Sequence, residues 1–85
     1  MKEIMIDCSQ ITTPKDFHNV LHRKLSFPEW YGCNLDALYD ALTSITENTK
    51  ITFMNFNQMD SWCIPFRCVL DDAEIENPNL FINYA

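Results

Sequence analysis

Three short stretches of the chain show the alternating or β-branched pattern of β-strands. In residues 2–6 the two isoleucines lie on one side of an extended backbone and Met5 on the other, a pattern compatible with a strand covered on both faces. Residues 50–54 and 80–84 are rich in β-branched and aromatic side chains. The pattern therefore predicts strands near the start, in the middle and at the end of the chain.

Three other stretches carry apolar residues at the three- and four-residue spacing of an amphipathic helix. The first begins at Pro14, which suits the first helical position, and should end before Pro28. The second is predicted over residues 35–43 with Asn34 as its N-cap, and the third over about residues 65–76.

The order of these elements favours an α/β fold with a parallel sheet. Strand, two helices, strand, helix and strand follow one another, and residues 55–61 are compatible with one more short helix. Strands separated by helices favour parallel pairing with right-handed crossovers. At 85 residues the chain is expected to form a single domain over residues 1–85, with two layers in which helices pack on one face of three strands.

The chain is acidic, and its charge is unevenly distributed. The formal net charge is −6, and residues 26–85 hold nine acidic and only two basic residues, a net charge of −7. Such a surface repels nucleic acid and attracts basic proteins. No apolar run has membrane-spanning length, and the first residues lack the apolar segment of a signal peptide. We therefore expect a cytoplasmic protein that binds neither membranes nor nucleic acid directly.

Few residues offer cofactor chemistry. Gly32 is the only glycine, which excludes a P-loop and a dinucleotide-binding fingerprint. Its isolation indicates a backbone position that needs positive φ or is crowded by other atoms. The four cysteines have no C-x-x-C spacing and no histidine close in sequence, so we expect reduced thiols, no cofactor and no metal.

The second predicted helix has two distinct faces. Its core face consists of apolar residues at helical spacing: Leu35, Leu38, Leu42 and Ile45. A second stripe, about 130° around the helix, should face solvent and consists of Asp36, Tyr39, Asp40 and Thr43. The two aspartates repel each other at i,i+4, and no basic residue between positions 26 and 49 offsets them. The stripe indicates either an ordinary solvated face or a surface for a basic partner.

The loop before this helix contains two adjacent large aromatics, Trp30 and Tyr31. Neither belongs to a periodic face, and two neighbouring aromatics rarely both point inward. One of them is therefore expected to face solvent, and exposed aromatics on a constrained loop are favoured at protein interfaces.

We expect a non-catalytic binding function, because an enzymatic function has weaker support in the sequence. His18 and His22 are spaced i,i+4, as metal ligands on a helix can be, but no third ligand is evident. Asp36 and Asp40 could act as paired carboxylates, although they share one exposed helical turn. A metal- or carboxylate-dependent hydrolase is the enzymatic alternative.

Residues 27–42, FPEWYGCNLDALYDAL, closely resemble the barstar family, which comprises intracellular inhibitors of barnase-type ribonucleases. The shared pattern is an aromatic pair, glycine, any residue, Asn-Leu-Asp-Ala-Leu, an aromatic and Asp. The resemblance extends more weakly over the first strand and parts of residues 69–80. Cys33 stands where barstar has an acidic residue, and Ser44-Ile45 stands where it has a Gly-Trp pair.

The resemblance implies both a strand order and a mode of action. The sheet would have the order 1-2-3, and the loop and second helix would enter the active site of a basic, extracellular, guanyl-specific ribonuclease, one inhibitor to one enzyme. Asp40 would occupy the phosphate-binding site, and Asp72 would add an acidic contact from the later helix. The partner-binding residues that the resemblance implies are Trp30, Tyr31, Gly32, Asn34, Asp36, Tyr39, Asp40, Thr43 and Asp72. The free protein is expected to be a monomer, and an antitoxin-like or immunity-like module for a different basic protein is the alternative.

Overall fold

The chain forms one three-stranded sheet and three helices. A computed structural model describes all of residues 1–85. The strands are β1 (Lys2–Asp7), β2 (Thr49–Met54) and β3 (Leu80–Tyr84), and the helices are α1 (Pro14–Lys24), α2 (Leu35–Thr43) and α3 (Ile64–Glu76). Short 3-10 turns occupy Cys8–Gln10, Phe56–Gln58 and Ser61–Cys63. All the predicted strands and helices are present. None of the helices combines the length and the apolar character that crossing a bilayer requires.

The sheet is parallel throughout and has the order β1-β2-β3, which confirms the predicted fold class and strand order. Ile4 of β1 lies opposite Ile51 of β2, which in turn lies opposite Ile82 of β3. The next inward-facing row begins with Ile6 opposite Phe53. These rows face the helices and form the floor of the core.

The opposite face of the sheet is open to solvent. Met5 is 58% exposed and Phe81 is 42% exposed, because the helices pack on the other face. The apolar residues on both sides of β1 were compatible with cover on both faces, but only the inner face is covered, as the predicted two-layer arrangement requires. On this outer face Glu3 of β1 lies opposite Lys50 of β2, a cross-strand pair of opposite charge.

Nineteen buried hydrophobic residues form the core between the sheet and the helices. Phe17 of α1 is fully buried, and its ring lies edge-on to Phe53 with centroids 5.8 Å apart and close to Phe66 at 4.7 Å. On α2 the middle two predicted core residues, Leu38 and Leu42, are fully buried, and the outer two are partly buried. The helical periodicity of the sequence thus identified the core face correctly.

A Schellman motif ends α1 and sets the direction of the following loop. The N–H of Phe27 donates to the carbonyl of His22 at 3.1 Å, and Ser26 adopts a left-handed conformation with φ 54°. Glycine is usual at this position, so serine there costs about 1 kcal/mol of backbone strain. The motif buries Phe27 and fixes the direction in which residues 28–33 leave the helix.

A buried side chain from the turn between α3 and β3 holds the C-terminal end of α2. Asn77 is 4% exposed, and its amide group donates to the carbonyls of Leu42 and Ile45, both at 2.9 Å. Its side-chain oxygen accepts from the N–H of Asn79 at 3.0 Å. Carbonyls at a helix end have no partner within the helix. Leu42 lies in the last turn of α2 and Ile45 two residues beyond it, so Asn77 binds the chain where α2 ends and fixes it against the end of α3.

Asn77→Ala should lower the free energy of unfolding by roughly 1–3 kcal/mol, because it leaves the carbonyl of Ile45 without a donor and that of Leu42 with backbone donors alone. Urea unfolding followed by circular dichroism measures the change. Asn83→Ala is the matched control, since Asn83 is exposed on the outer face of β3, and it should cost no more than about 0.5 kcal/mol. Equal losses in the two variants would contradict the role assigned to Asn77.

Candidate functional site

A tight turn places Trp30 at the surface. The N–H of Tyr31 donates to the carbonyl of Pro28 at 2.9 Å, which closes a β-turn with Glu29 and Trp30 at its two corners. Trp30 is 84% exposed, more than any other large hydrophobic residue. The expectation that one of the two adjacent aromatics faces solvent is confirmed.

Tyr31 points the other way, into the wall of the core, where it is 7% exposed. Its hydroxyl is hydrogen-bonded to Nδ1 of His18 at 2.7 Å, and its ring packs against Phe27 with centroids 5.0 Å apart. Burial raises the pKa of the Tyr31 hydroxyl and lowers the pKa of His18, so both side chains are uncharged near neutral pH. Tyr31, which the resemblance implied as a partner contact, therefore anchors the loop to α1 in the free protein.

The only glycine is not the residue with positive φ. Cys33 adopts the left-handed conformation with φ 50°, and Gly32 does not. Gly32 is instead crowded: a Cβ there would lie 3.1 Å from Nδ2 of Asn34 and 3.5 Å from Cβ of Ala37. The absence of a side chain lets the loop pass close to the first turn of α2.

Asn34 joins the loop to α2. Its Oδ1 accepts from the N–H of Ala37 at 2.8 Å, which confirms the predicted N-cap. Its Nδ2 donates to the carbonyl of Gly32 at 3.3 Å. Both ends of the amide are thus used within the protein, so Asn34 holds the loop and the helix start in a fixed relation.

The α2 helix presents the predicted stripe to solvent. Asp36 and Asp40 are exposed, and Tyr39 and Thr43 are partly buried. The Thr43 hydroxyl donates to the backbone carbonyl of Tyr39 at 2.9 Å and is therefore engaged within the helix. The two aspartates line separate depressions, so they do not face one cleft as the paired carboxylates of a hydrolase do.

The histidines and cysteines do not gather into a site. His18 is buried against Tyr31, and no group of three or more His, Cys, Asp or Glu side chains is arranged to hold a metal ion. All four cysteines are free. Burial raises the pKa of the Cys8 thiol to about 11, so this thiol is inert at neutral pH.

The α3 helix adds carboxylates next to the α2 stripe. Tyr39 lines a shallow depression together with Asp72, Ile75 and Glu76 of α3. Burial, and then nearby negative charge, raises the pKa of the Tyr39 hydroxyl. That charge comes from Glu76, Asp72 and Asp40. Asp72 thus lies beside the stripe, and so does Glu76, whose only signal in the sequence was its i,i+4 spacing from Asp72.

An acidic face extends across α2 and α3, formed by Asp36, Tyr39, Asp40, Asp72 and Glu76. None of its four carboxylates has a cationic partner, because the one ion pair of the protein joins Arg67 to Asp71 at 3.8 Å. Arg67 also lies over the ring of Tyr84, 4.2 Å from its centroid. Trp30 and Asp40 line the same groove, so the exposed aromatic stands at the edge of the acidic face.

Known proteins resemble this chain in sequence. The family model described as barstar (barnase inhibitor) matches residues 1–76. A protein of Bacillus subtilis strain 168 named "Putative ribonuclease inhibitor YrdF" is 46% identical over 43 residues, which cover 51% of this chain and 47% of that protein. The aligned region thus spans about half the length of that curated relative.

The protein should lose stability as the pH falls below 6.5. This is the ordinary pKa of histidine, which His18 has in the unfolded chain. Because burial lowers the pKa of His18 in the folded state, the unfolded state takes up the proton first. The stabilising contribution is therefore complete above pH 6.5 and is lost progressively down to the folded pKa. Urea unfolding at about pH 7.5 and about pH 5.5 measures the loss.

His18→Gln should remove most of this pH dependence, whereas His22→Gln should keep it. His22 is the matched control because it lies on the same helix, is partly exposed and has no side-chain hydrogen bond. An unchanged pH dependence in His18→Gln would show that the effect belongs to other groups.

Proposed function

The chain belongs to the barstar family, and from this premise we propose that it inhibits a ribonuclease by binding over the enzyme's active site. The family match covers residues 1–76, which include the Trp30 turn and the whole acidic face. The name of the Bacillus subtilis relative also supports ribonuclease inhibition.

The acidic face is the observation that carries this proposal. Its four carboxylates stand on two packed helices without a cation to pair with them. A ribonuclease active site is cationic because it binds the phosphates of RNA. Carboxylates can take the place of those phosphates without offering a bond that can be cleaved. The acidic face therefore matches such a site in charge and in the kind of group it binds.

Each part of the surface has a separate role in the proposed complex. Asp40, exposed in the middle of α2, occupies the phosphate-binding position of the enzyme. Trp30 packs against the rim of the active site, where an exposed aromatic adds apolar contact area. Tyr31 and Asn34 act through intramolecular hydrogen bonds, which hold the loop in its conformation in the free protein. A loop that is already ordered loses less entropy on binding.

The proposed partner is a basic, extracellular, guanyl-specific ribonuclease of the barnase type, bound as a one-to-one complex. The inhibitor acts in the cytoplasm of the producing cell and protects that cell's own RNA. Titration of the purified chain against a panel of bacterial ribonucleases tests this assignment. Binding to a basic protein without any loss of ribonuclease activity would favour an antitoxin-like module for another partner instead.

Asp40→Ala should weaken inhibition of the cognate ribonuclease by at least tens of times. Removing the carboxylate leaves the enzyme's cations buried and unpaired, which typically costs roughly 2–5 kcal/mol. The variant itself should keep its stability within about 0.5 kcal/mol, because Asp40 makes no ion pair and repels Asp36. Inhibition titration and thermal unfolding measure the two effects.

Glu47→Ala is the matched control for Asp40→Ala. It removes the same charge from an exposed position outside the acidic face, so it should slow association slightly and change little else. If the two variants inhibit equally well, the acidic face is only a solvated helix surface and the proposal is overturned.

Association with the ribonuclease should slow by about tenfold or more between low and high salt. The net charge of −7 on residues 26–85 attracts a basic partner over distances that salt screens. Stopped-flow mixing at several ionic strengths measures the association rate. A rate that does not depend on salt would contradict electrostatic attraction as the driving force of encounter.

A further inference from the structure

The outer edge of β1 has backbone groups that the fold does not use. Successive residues of a strand turn their N–H groups alternately to one side and to the other. The N–H of Lys2 donates to the carbonyl of Asn48 at 2.9 Å, so Lys2 and every second residue after it face β2. Glu3, Met5 and Asp7 therefore face away from the sheet, and no hydrogen bond of the fold uses their N–H groups. Such an edge can pair with another strand.

The opposite edge of the sheet, on β3, is blocked by the protein itself. The outward N–H of Leu80 donates to the carbonyl of Asn77 at 3.0 Å. The outward N–H of Ile82 donates to the carboxylate of Glu74, which reaches over from α3. A charged side chain laid over an edge strand prevents further pairing. The edge that remains open is therefore that of β1.

A groove lies between the second half of β1 and the helix α1, and we name it the β1 groove. Its volume is about 610 Å³, within the range of roughly 300–1,000 Å³ that is typical of ligand clefts. Its apolar residues include Met5, Ile11, Val20 and Met54. None of its lining residues belongs to the acidic face, so the two surfaces can be occupied at the same time.

The free charges of the β1 groove are positive. Arg23 and Lys24 of α1 line it, both are exposed, and neither forms an ion pair. The acidic residues that line it already have partners within the protein. Asp7 accepts from the side-chain amide of Asn55 at 3.0 Å, and Asp16 accepts from a neighbouring threonine hydroxyl at 3.2 Å. The groove therefore favours a partner with negative charge.

We propose that the β1 groove binds an extended acidic segment of another protein, which pairs with β1 as a fourth strand. Backbone hydrogen bonds to the edge supply affinity, and alternate side chains supply specificity. Side chains of the segment that point to the helix layer are acidic and pair with Arg23 and Lys24. Those that point to the outer face of the sheet are apolar and continue the row of Met5.

The charge pattern of β1 argues against a second copy of this chain as the occupant. Symmetric antiparallel pairing centred on Met5 would place Glu3 of one copy opposite Asp7 of the other. Like charges directly opposite each other destabilise a strand pair. Both acids would also lie on the outer face, away from Arg23 and Lys24, and each copy carries a formal net charge of −6.

NMR titration of the purified protein with an acetylated heptapeptide of alternating valine and glutamate tests the proposal. We expect shifts of the backbone amides of Glu3, Met5 and Asp7, with a Kd of about 1 mM because a short peptide loses conformational freedom on binding. Two control peptides should bind at least fivefold more weakly. One has all its internal amides N-methylated and cannot donate to the edge, and the other has lysine in place of glutamate.

Two pairs of variants locate the contacts. Met5→Pro removes an outward N–H and should weaken binding at least fivefold, whereas Met5→Ala keeps that N–H and should change binding less than twofold. Arg23→Gln should weaken binding of the valine–glutamate peptide about threefold. Lys15→Gln, with the same change in charge on the same helix but outside the groove, should not. If Met5→Pro does not fold, the N-methylated peptide makes the same test.

Three results would overturn the proposal. Equal binding of the valine–glutamate peptide and its N-methylated form would show that charge alone holds the peptide. Tighter binding of an oligothymidylate of equal charge would indicate a nucleic-acid surface instead. Shifts at Glu3, Met5 and Asp7 that depend on protein concentration, without any peptide, would assign the edge to a second copy.

Discussion

The buried amide of Asn77 is the contact on which the candidate site depends. From the turn that follows α3, it binds the carbonyl of Leu42 in the last turn of α2 and that of Ile45 just beyond the helix, and so ties the ends of the two helices together. Asp36 and Asp40 belong to one helix and Asp72 and Glu76 to the other, far apart in the sequence. Together with the packing of α2 on α3, this contact holds the two halves of the acidic face in one surface. The hydrogen bonds that Asn77 donates at the end of α2 therefore also help to position the carboxylates of the site.

The free protein is electrostatically unfavourable at the place where it is proposed to act. Three carboxylates, those of Asp40, Asp72 and Glu76, gather around Tyr39, while the only ion pair lies elsewhere on α3. At an exposed surface such repulsion costs little, a few tenths of a kcal/mol for each pair. The core of nineteen buried hydrophobic residues readily offsets that cost. A cationic active site would convert the repulsion into attraction, which is the physical basis of the proposed inhibition.

Local sequence signals predicted the elements well and the contacts between them poorly. The second helix has the predicted bounds, because Asn34 is a strong N-cap and the leucines repeat at helical spacing. The sequence predicted that one of two adjacent aromatics would be exposed, but only the turn closed by Pro28 determines that it is Trp30. Positive φ falls on Ser26 and Cys33 although glycine usually takes such positions. Glu76 joins the site through helix packing, which no local pattern encodes.

The most direct test of the central claim is whether the inhibitor and a nucleotide exclude each other from the ribonuclease. The apparent Kd of the inhibitor should be measured at increasing concentrations of a guanosine monophosphate, which occupies the enzyme's phosphate site. If the carboxylates of the acidic face take the place of RNA phosphate, the apparent Kd should rise in proportion to the nucleotide, about tenfold at ten times the nucleotide's own Kd. An apparent Kd that does not change, with nucleotide and inhibitor bound together, would contradict the account.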